Sequence, residues 1–388
     1  MNILWKNSSP PDIFEVRFSY DTCRKVSMEN CIPLIGKESW VDFLPDESLA
    51  EVLDKTSSDK LLIVNEPELV LSQTALGRLA ELSDSGYDSC GPVYNETLYS
   101  QQIASLQYLY YNVTTFLEIA ELLAQKPMSE ISEVRDLDAA CVMYRRKTLE
   151  SLDGNLKLSD ILPHIQGVKA VDPGAYIHRF ANYYNSERDD LARLVPENVR
   201  RVLDVGCARG GYGRKLKQSR PDIALTGVEL NPIMAETARQ FYDEIITSPI
   251  EDVRFSDQFD LINCGDILEH LQNPWEMLGR FHSLLKIGGY LVTSLPNAGH
   301  WSIVNDLLKG KFEYIPVGLL CVTHIRWFTE SSIQKALQDA GFVIDIFQKE
   351  KNTPTPKGQI FIRDMCDRGY GDEDSLMTHE FTIRAVKK

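Results

Sequence analysis

The stretch Arg201-Val202-Leu203-Asp204-Val205-Gly206-Cys207-Ala208-Arg209-Gly210-Gly211 decides the fold of the second half of this chain. It begins with a short apolar run typical of a buried strand, passes through a glycine-rich turn and continues with helical spacing. Glycine permits positive φ values and lets a ligand approach bare backbone. The start of a helix offers free N–H groups to a negatively charged ligand group. The stretch therefore predicts a strand, a ligand-binding turn and a helix.

Strands and helices alternate after this turn, which is the pattern of a parallel sheet covered by helices. Strands are predicted at 201–205, 224–229, 244–247, 259–263, 289–294, 343–348 and 380–386. Helices are predicted at 175–194, 211–219, 233–241, 275–285 and 331–340. The fold class expected from this pattern is α/β, with a Rossmann-like seven-stranded sheet.

An acid follows the second predicted strand at the spacing of a nucleotide site. Glu229 comes roughly 20 residues after Gly206, as expected for a ribose-binding acid. A carboxylate at the carboxyl end of a strand can accept hydrogen bonds from both ribose hydroxyls. A nicotinamide-binding Rossmann domain uses a similar turn and acid, so these two features leave an oxidoreductase open.

Three segments together resemble the motifs of class I S-adenosylmethionine (SAM)-dependent methyltransferases. Residues 202–210 are similar to the first motif, 260–271 to the fourth strand and the loop beyond it, and 284–290 to the turn into the fifth strand. The resemblance covers residues 175–388 and implies SAM as the cofactor. The late strand at 380–386 also favours this family over a nicotinamide-dependent oxidoreductase.

The resemblance implies a set of cofactor-binding residues on the loops above the sheet, namely Asp204, Gly206, Cys207, Ala208, Gly210, Glu229, Leu230, Ile250 and Gly265. Two positions depart from the family pattern. The family usually has glycine in place of Ala208, so the extra methyl group is expected to tighten the fit and weaken binding. It often has an acid near Ser248, so packing of Ile250 on adenine is the firmer expectation.

Three histidines follow strands of the predicted sheet, where function concentrates in loops. Methyl transfer depends on positioning the nucleophile, and a hydroxyl nucleophile gains from a general base. The segments resemble methyltransferases of sugar, glycan and quinone biosynthesis, which implies that His270 is the base. His300, His324 and Tyr184 are expected to contact the substrate, and Glu269 could orient a histidine. Helix capping and core packing remain the alternatives for each.

Length and composition set the class of protein. With 388 residues, the chain is expected to hold two domains. A net charge of −15 disfavours binding of nucleic acid or an anionic membrane. The 8 cysteines have no zinc-ligand spacing, so buried reduced thiols and no metal site are expected. No signal-peptide pattern or membrane-length apolar run occurs, so a cytoplasmic protein is expected.

The N-terminal part, residues 1–165, is expected to be an α/β accessory domain preceding a methyltransferase domain at 175–388. Segments 61–71 and 137–146 resemble family 2 glycosyltransferases. That family has an Asp-x-Asp metal motif where this chain has Asn65-Glu66-Pro67-Glu68, so the resemblance implies a degenerate domain. A binding or dimerising role is expected for it.

The whole pattern predicts an enzyme that moves a methyl group from SAM to a small-molecule or glycan-linked acceptor, at oxygen. Two alternatives stay open at this point. One is the nicotinamide-dependent oxidoreductase, and the other is a non-catalytic SAM-binding protein, since Ala208 and the degenerate first part depart from active families.

Overall fold

The computed structural model describes residues 1–7, 14–180, 186–316 and 318–388, with the backbone alone over 14–19. The chain divides into two compact units. The first comprises Met1–Phe180 and Glu313–Val317, and the second comprises Ala181–Phe312 and Gly318–Lys388. The division falls later in the sequence than the boundary expected at 165–175, because residues 169–179 form a strand of the first unit. No helix in the described ranges is long and apolar enough to cross a membrane.

The first unit is built on a mixed eight-stranded sheet. Its strands are β1 (Asn2–Lys6), β2 (Trp40–Phe43), β3 (Lys60–Val64), β4 (Leu69–Val70), β5 (Ser89–Tyr94), β6 (Ser132–Val134), β7 (Cys141–Arg145) and β8 (Lys169–Arg179). Its helices are α1 (Phe14–Ile35), α2 (Leu49–Asp54), α3 (Gln73–Asp84), α4 (Val113–Ala124) and α5 (Arg146–Glu150). The strand order is β2-β1-β3-β7-β5-β8-β4, with β6 paired to β8. Strand β7 runs antiparallel to both β3 and β5, whereas β5 and β8 are parallel.

The predicted helix over 175–194 is wrong, because its first part belongs to strand β8. Ala175, Tyr176 and Ile177 are all buried in that strand. A short apolar run that is buried on both faces of a sheet cannot be distinguished from a buried helix by periodicity alone. Between residues 186 and 194 the only helix is α6, Asp189–Ala192.

The second unit contains the predicted seven-stranded sheet. Its strands are β9 (Arg201–Val205), β10 (Ala224–Glu229), β11 (Glu244–Thr247), β12 (Phe259–Gly265), β13 (Leu285–Pro296), β14 (Phe342–Lys351) and β15 (Thr378–Lys387). Its helices are α6, α7 (Gly211–Ser219), α8 (Pro232–Ala238), α9 (Pro274–Leu284), α10 (Trp301–Leu308), α11 (Glu330–Asp339), α12 (Pro356–Asp367) and α13 (Glu373–Met377). The strand order is β11-β10-β9-β12-β13-β15-β14. The first five strands in sequence are parallel, and β15 runs antiparallel between β13 and β14.

Two hydrophobic clusters cover the two faces of this sheet. Val202 and Leu261 pack into one cluster, whereas Leu203 and Ile262, the next residues along the same strands, pack into the other. Alternate side chains of a strand point to opposite faces, so strands covered on both sides must be apolar throughout. This requirement explains why these strands were visible in the sequence as short continuous apolar runs.

The strand order reverses between β9 and β12, since β10 and β11 extend the sheet in one direction and β12 and β13 in the other. Open α/β sheets bind ligands in the crevice at such a point, outside the carboxyl ends of the strands. Asp204 of β9 lies opposite Asn263 of β12 in the register. The glycine-rich turn and the loop after β12 therefore border the ligand-binding crevice.

Candidate active site

The glycine-rich turn after β9 adopts left-handed backbone at three positions. The φ angles are +75° at Gly206, +46° at Ala208 and +86° at Gly210. A side chain at Gly206 would overlap Ile267, and a Cβ at Gly210 would lie 3.0 Å from the Ala238 Cα atom. Both glycines are therefore required by backbone conformation and by packing, and Ala208 is the one residue of the three that carries a Cβ in this strained region.

Glu229 is joined to this turn by its carboxylate. The backbone N–H of Ala208 donates to Oε2 and that of Asn231 donates to Oε1, both at 2.8 Å. Burial raises the pKa of Glu229, while the two N–H groups act to lower it. A carboxylate has about four lone-pair directions, so two remain for ribose hydroxyls. Next along the chain, Leu230 and Ile233 expose 54% and 53% of their surface.

Asp204, expected to bind the cofactor, is buried inside the unit. Its Oδ1 accepts from the Asn263 amide at 2.7 Å, and its Oδ2 accepts from the Tyr242 hydroxyl. Burial raises the pKa of Asp204 to about 6, although both hydrogen bonds oppose the rise. The Tyr242 hydroxyl also accepts from the Gly213 N–H in α7. Asp204 therefore holds β9, β12 and α7 in position. Both of its carboxylate oxygens accept hydrogen bonds from other side chains of the protein.

The remaining expected cofactor residues have buried or minimal side chains. Ile250 packs in the hydrophobic cluster that contains Val228, and Cys207 packs in the cluster on the other face of the sheet. A Cβ at Gly265 would lie 2.5 Å from the Leu191 Cδ1 atom. Cys207 and Gly265 can therefore meet a ligand only through their backbone.

A charged cluster that the sequence did not reveal lies above β12 and β13. The Arg188 guanidinium donates to Asp190 at 2.7 Å, to Ser294 at 2.8 Å and to Glu380 at 3.0 Å, and it also pairs with Asp266. Burial and the Asp266 charge raise the pKa of Glu380 to about 8. With Glu380 mostly protonated at neutral pH, Asp190 and Asp266 against one guanidinium still leave an excess of negative charge, which suits a cationic ligand at this edge.

His270 and His324, which come from two separate loops, are brought together with ring centroids 4.8 Å apart. The Nδ1 atom of His270 lies 3.1 Å from the Thr323 carbonyl oxygen, and that of His324 lies 3.0 Å from the Leu319 carbonyl oxygen. Burial lowers the pKa of both histidines, to about 4 for His324. Both rings are therefore neutral at physiological pH.

Glu269 lies beside the two histidines with no exposed surface. Its backbone carbonyl accepts from the N–H groups of Ile325 and Arg326 at 2.9 and 3.0 Å, which fastens the His324 loop to the loop after β12. Neither carboxylate oxygen has a hydrogen-bond partner within the described ranges. Burial and Asp266 raise the pKa of Glu269 well above its ordinary value.

His300 lies in the loop after β13, as the sequence predicts. It is 2% exposed and serves as the N-cap of α10, where its Nδ1 accepts from the Ser302 N–H at 3.4 Å. Burial holds the pKa of His300 well below its ordinary value. This geometry supports the capping alternative. Tyr184 lies outside the described residues.

Comparison with known proteins agrees with the fold. Residues 176–345 match the family model for a methyltransferase domain. The trans-aconitate 2-methyltransferase of Escherichia coli O7:K1 (strain IAI39 / ExPEC) is 28% identical over 128 residues, which make up 32% of this chain and 51% of that protein. The chain therefore spans about half the length of the curated relatives it matches.

Solved structures of methyltransferases also match. A SAM-dependent methyltransferase from Archaeoglobus fulgidus is 19% identical, with a TM-score of 0.37, over 53% of this chain and 97% of that one. The N-methyltransferase NodS from Bradyrhizobium japonicum WM9, in complex with S-adenosyl-L-homocysteine, is 16% identical, with a TM-score of 0.35, over 51% of this chain and 84% of that one.

Over residues 176–345 the second unit is therefore similar to methyltransferase domains, and SAM is the cofactor that this similarity implies. The residues present fit this cofactor. The glycine-rich turn has bare backbone at two left-handed positions, and α7 begins directly after it. Glu229 keeps acceptor capacity for ribose, and the exposed Leu230 and Ile233 provide apolar surface for a base.

Proposed function

We propose that the second unit transfers the methyl group of SAM to an oxygen atom of a small-molecule or glycan-linked acceptor. The observation that carries this proposal is the position of His270 in the loop after β12, at the edge that borders the crevice. Its Nδ1 faces a carbonyl oxygen, so Nδ1 carries the proton and Nε2 keeps a lone pair. A curated relative that acts on trans-aconitate supports a small-molecule acceptor.

The reaction assigned to this site is a single displacement. When bound, SAM supplies an electrophilic methyl group on a positively charged sulfur. The Nε2 atom of His270 activates the acceptor hydroxyl, and as a free imidazole it takes the proton while the new O–C bond forms and the S–C bond breaks. Arg188 and its acids hold the loops above β12 and β13 in place, so that the hydroxyl meets the methyl group in line.

On the cofactor side, we assign roles to five of the expected residues. Glu229 accepts hydrogen bonds from the ribose hydroxyls, and Leu230 packs against the base. Gly206 and Gly210 provide the left-handed backbone that brings the start of α7 to the methionine carboxylate, since their own N–H groups donate to the carbonyl oxygens of Val228 and Cys207. Ala208, at a φ of +46°, carries a methyl group where the family usually has glycine. This methyl group leaves less space for the cofactor at the same turn.

The test is a His270→Ala variant assayed for methyl transfer to a panel of small acids, sugars, phenols and amines. Turnover on a hydroxyl acceptor is expected to fall by about 10²–10⁴-fold, the usual contribution of a positioned acid–base group. Binding of S-adenosylhomocysteine, measured by calorimetry, is expected to stay within about twofold, since His270 lies outside the proposed cofactor contacts.

His282→Ala is the matched control, because His282 packs on Phe342 away from these loops. Methylation of an amine alone, with turnover unchanged in His270→Ala, would contradict the proposal. Loss of S-adenosylhomocysteine binding in His270→Ala would instead place His270 among the cofactor contacts.

For the first unit we propose an accessory role without sugar transfer. Glu66, in the segment that replaces the metal motif of the resembled glycosyltransferases, accepts from the Arg179 guanidinium through both oxygens. Arg179 also donates to Asp138 at 2.8 Å. Glu66 and Asp138 are thus paired with Arg179. A metal-bound nucleotide sugar could bind these two acids only by displacing the Arg179 guanidinium. Hydrolysis or transfer from a nucleotide sugar in the presence of Mn²⁺ would overturn this assignment.

A further inference from the structure

We propose that Glu269, His270 and His324 form a binding site for a divalent transition-metal ion. Their ligand atoms, one carboxylate oxygen and two imidazole nitrogens, all lie within 4.8 Å of one another. Cysteine spacing had predicted no metal site, so this cluster departs from that expectation. The inference rests on the proposed function in one respect only: the acceptor is taken to bind beside the loop after β12, where these residues lie.

The two histidines are oriented as metal ligands are. Each ring directs Nδ1 to a backbone carbonyl oxygen, at 3.1 Å for His270 and 3.0 Å for His324. A carbonyl oxygen only accepts, so Nδ1 carries the hydrogen in both rings and Nε2 keeps its lone pair. Metal-binding histidines commonly have this second hydrogen bond, which fixes the tautomer and the ring orientation. Two neighbouring rings with the same arrangement therefore offer two nitrogen ligands toward one point.

The buried Glu269 side chain is a second, independent observation that points to a bound cation. Its side chain is 1% exposed, and its Oε1 atom lies 3.9 Å from the His324 Nε2 atom. Neither oxygen has a hydrogen-bond partner in the described part of the chain. A buried carboxyl group without a hydrogen-bond partner is strongly unfavourable, and the ion pair recorded for Glu269 is the 3.9 Å contact with His324, whose ring is neutral. A cation between the carboxylate and the two rings would remove this penalty.

The ligand set selects the class of metal. Two imidazoles and one carboxylate bind Zn²⁺ in open catalytic sites and Fe²⁺ in facial sites, with positions left for an exogenous oxygen. Bonds of about 2.0–2.2 Å place neighbouring ligand atoms roughly 3.0–3.5 Å apart. Glu269 and His324 lie 3.9 Å apart and no two ligand atoms of the cluster are more than 4.8 Å apart, so metal binding requires them to approach one another by up to about 2 Å.

Such an ion changes how the acceptor is activated. A hydroxyl bound at an open position becomes more acidic, as water does on zinc, and gives up its proton to solvent before it attacks the methyl group. In the metal-bound form His270 is a ligand through Nε2, so the ion replaces His270 as the group that activates the hydroxyl, while the methyl transfer of the proposed function is kept. Methyl transfer by the free base would be independent of metal, whereas transfer at this site would require it.

The experiment is a titration of the chelator-treated full chain with Zn²⁺ by calorimetry and with Co²⁺ by visible absorption. We expect one equivalent to bind, with Co²⁺ bands typical of nitrogen and oxygen ligands. Glu269→Gln and His324→Ala are each expected to weaken binding roughly 100-fold or more, since even second-shell changes cost 10–100-fold. His282→Ala, the matched control outside the cluster, is expected to bind as the unchanged chain does.

No stoichiometric Zn²⁺ or Co²⁺ binding by the full chain would overturn the inference without relying on any variant. Equal binding by Glu269→Gln and His324→Ala would overturn it too, because the metal would then lie elsewhere. The proposed function is tested separately with S-adenosylhomocysteine in the same calorimeter. Binding of S-adenosylhomocysteine and methyl transfer by the metal-free chain would leave the proposed function standing and refute the part of the metal in activating the acceptor.

Discussion

Ala208 is the residue at which the turn after β9 carries strain, since its φ is +46°. An L-residue in left-handed conformation costs about 1–2 kcal/mol, whereas glycine costs about 0.5–1 kcal/mol of extra chain entropy on folding. We therefore expect Ala208→Gly to raise the free energy of unfolding by about 0.5–1 kcal/mol in urea titrations and to bind S-adenosylhomocysteine at least as tightly.

Ala336→Gly, in the regular helix α11, is the control for that measurement. It should lower the free energy of unfolding by at least about 1 kcal/mol, because the helix penalty of glycine is joined by the loss of a buried methyl group. A loss of similar size in Ala208→Gly would show that the left-handed geometry at Ala208 is not strained.

At the residue scale, the sequence predicted those structural features that depend only on residues close together in the chain. The glycine turn and Glu229 were predictable because a strand, a turn and an acid at fixed spacing impose their own geometry. Contacts between distant segments were not predictable. His270 meets Thr323 across 53 positions, and Arg188 meets Glu380 across 192. The departure from family pattern at Ala208 was visible, but its strained φ was not.

At the scale of secondary-structure elements, strands β9 and β12 are joined at the crevice by the buried side chain of Asp204. It accepts hydrogen bonds from Asn263 and Tyr242. Burial raises the pKa of Asp204 from its ordinary 3.8 to about 6. The Asp204 carboxyl group therefore binds its proton more tightly in the folded chain than in the unfolded chain. The stabilisation from the bound proton is complete below about pH 4 and is lost as the pH rises through about 6.

Asp204→Asn removes this titration while keeping an acceptor for Tyr242. The difference in unfolding free energy between the unchanged chain and Asp204→Asn should fall by on the order of 3 kcal/mol from pH 4 to pH 7. Chemical denaturation at several pH values measures it. A pH-independent difference would mean that Asp204 keeps an ordinary pKa in the folded unit.

The elements of the second unit were largely predictable because strands covered on both faces stand out as apolar runs between polar turns. Strand β8 was the exception. Its apolar residues are followed by Phe180, Leu191 and Leu194, whose spacing also fits a helix face. Pairing with β5 decided for a strand, and this long-range partner leaves no mark on the local sequence.

At the scale of the whole molecule, each unit has hydrophobic cores of its own. A ligand that binds only the folded second unit stabilises that unit, by about 2.7 kcal/mol at 100 times its Kd. We therefore expect S-adenosylhomocysteine to raise the melting temperature of one calorimetric transition and to leave a second transition in place. An equal shift of all unfolding heat would show that the two units unfold as one.

The central claim is that the crevice above β9, β10 and β12 binds SAM. Titration of the full chain with S-adenosylhomocysteine, with NADH as the competing nucleotide, tests it most directly. One equivalent of S-adenosylhomocysteine should bind, and NADH should give no heat. Glu229→Gln should weaken binding about 10–100-fold through loss of a charged acceptor, whereas Glu236→Gln, an exposed acid of α8, should not. Binding of NADH, or S-adenosylhomocysteine binding that Glu229→Gln leaves unchanged, would contradict the account.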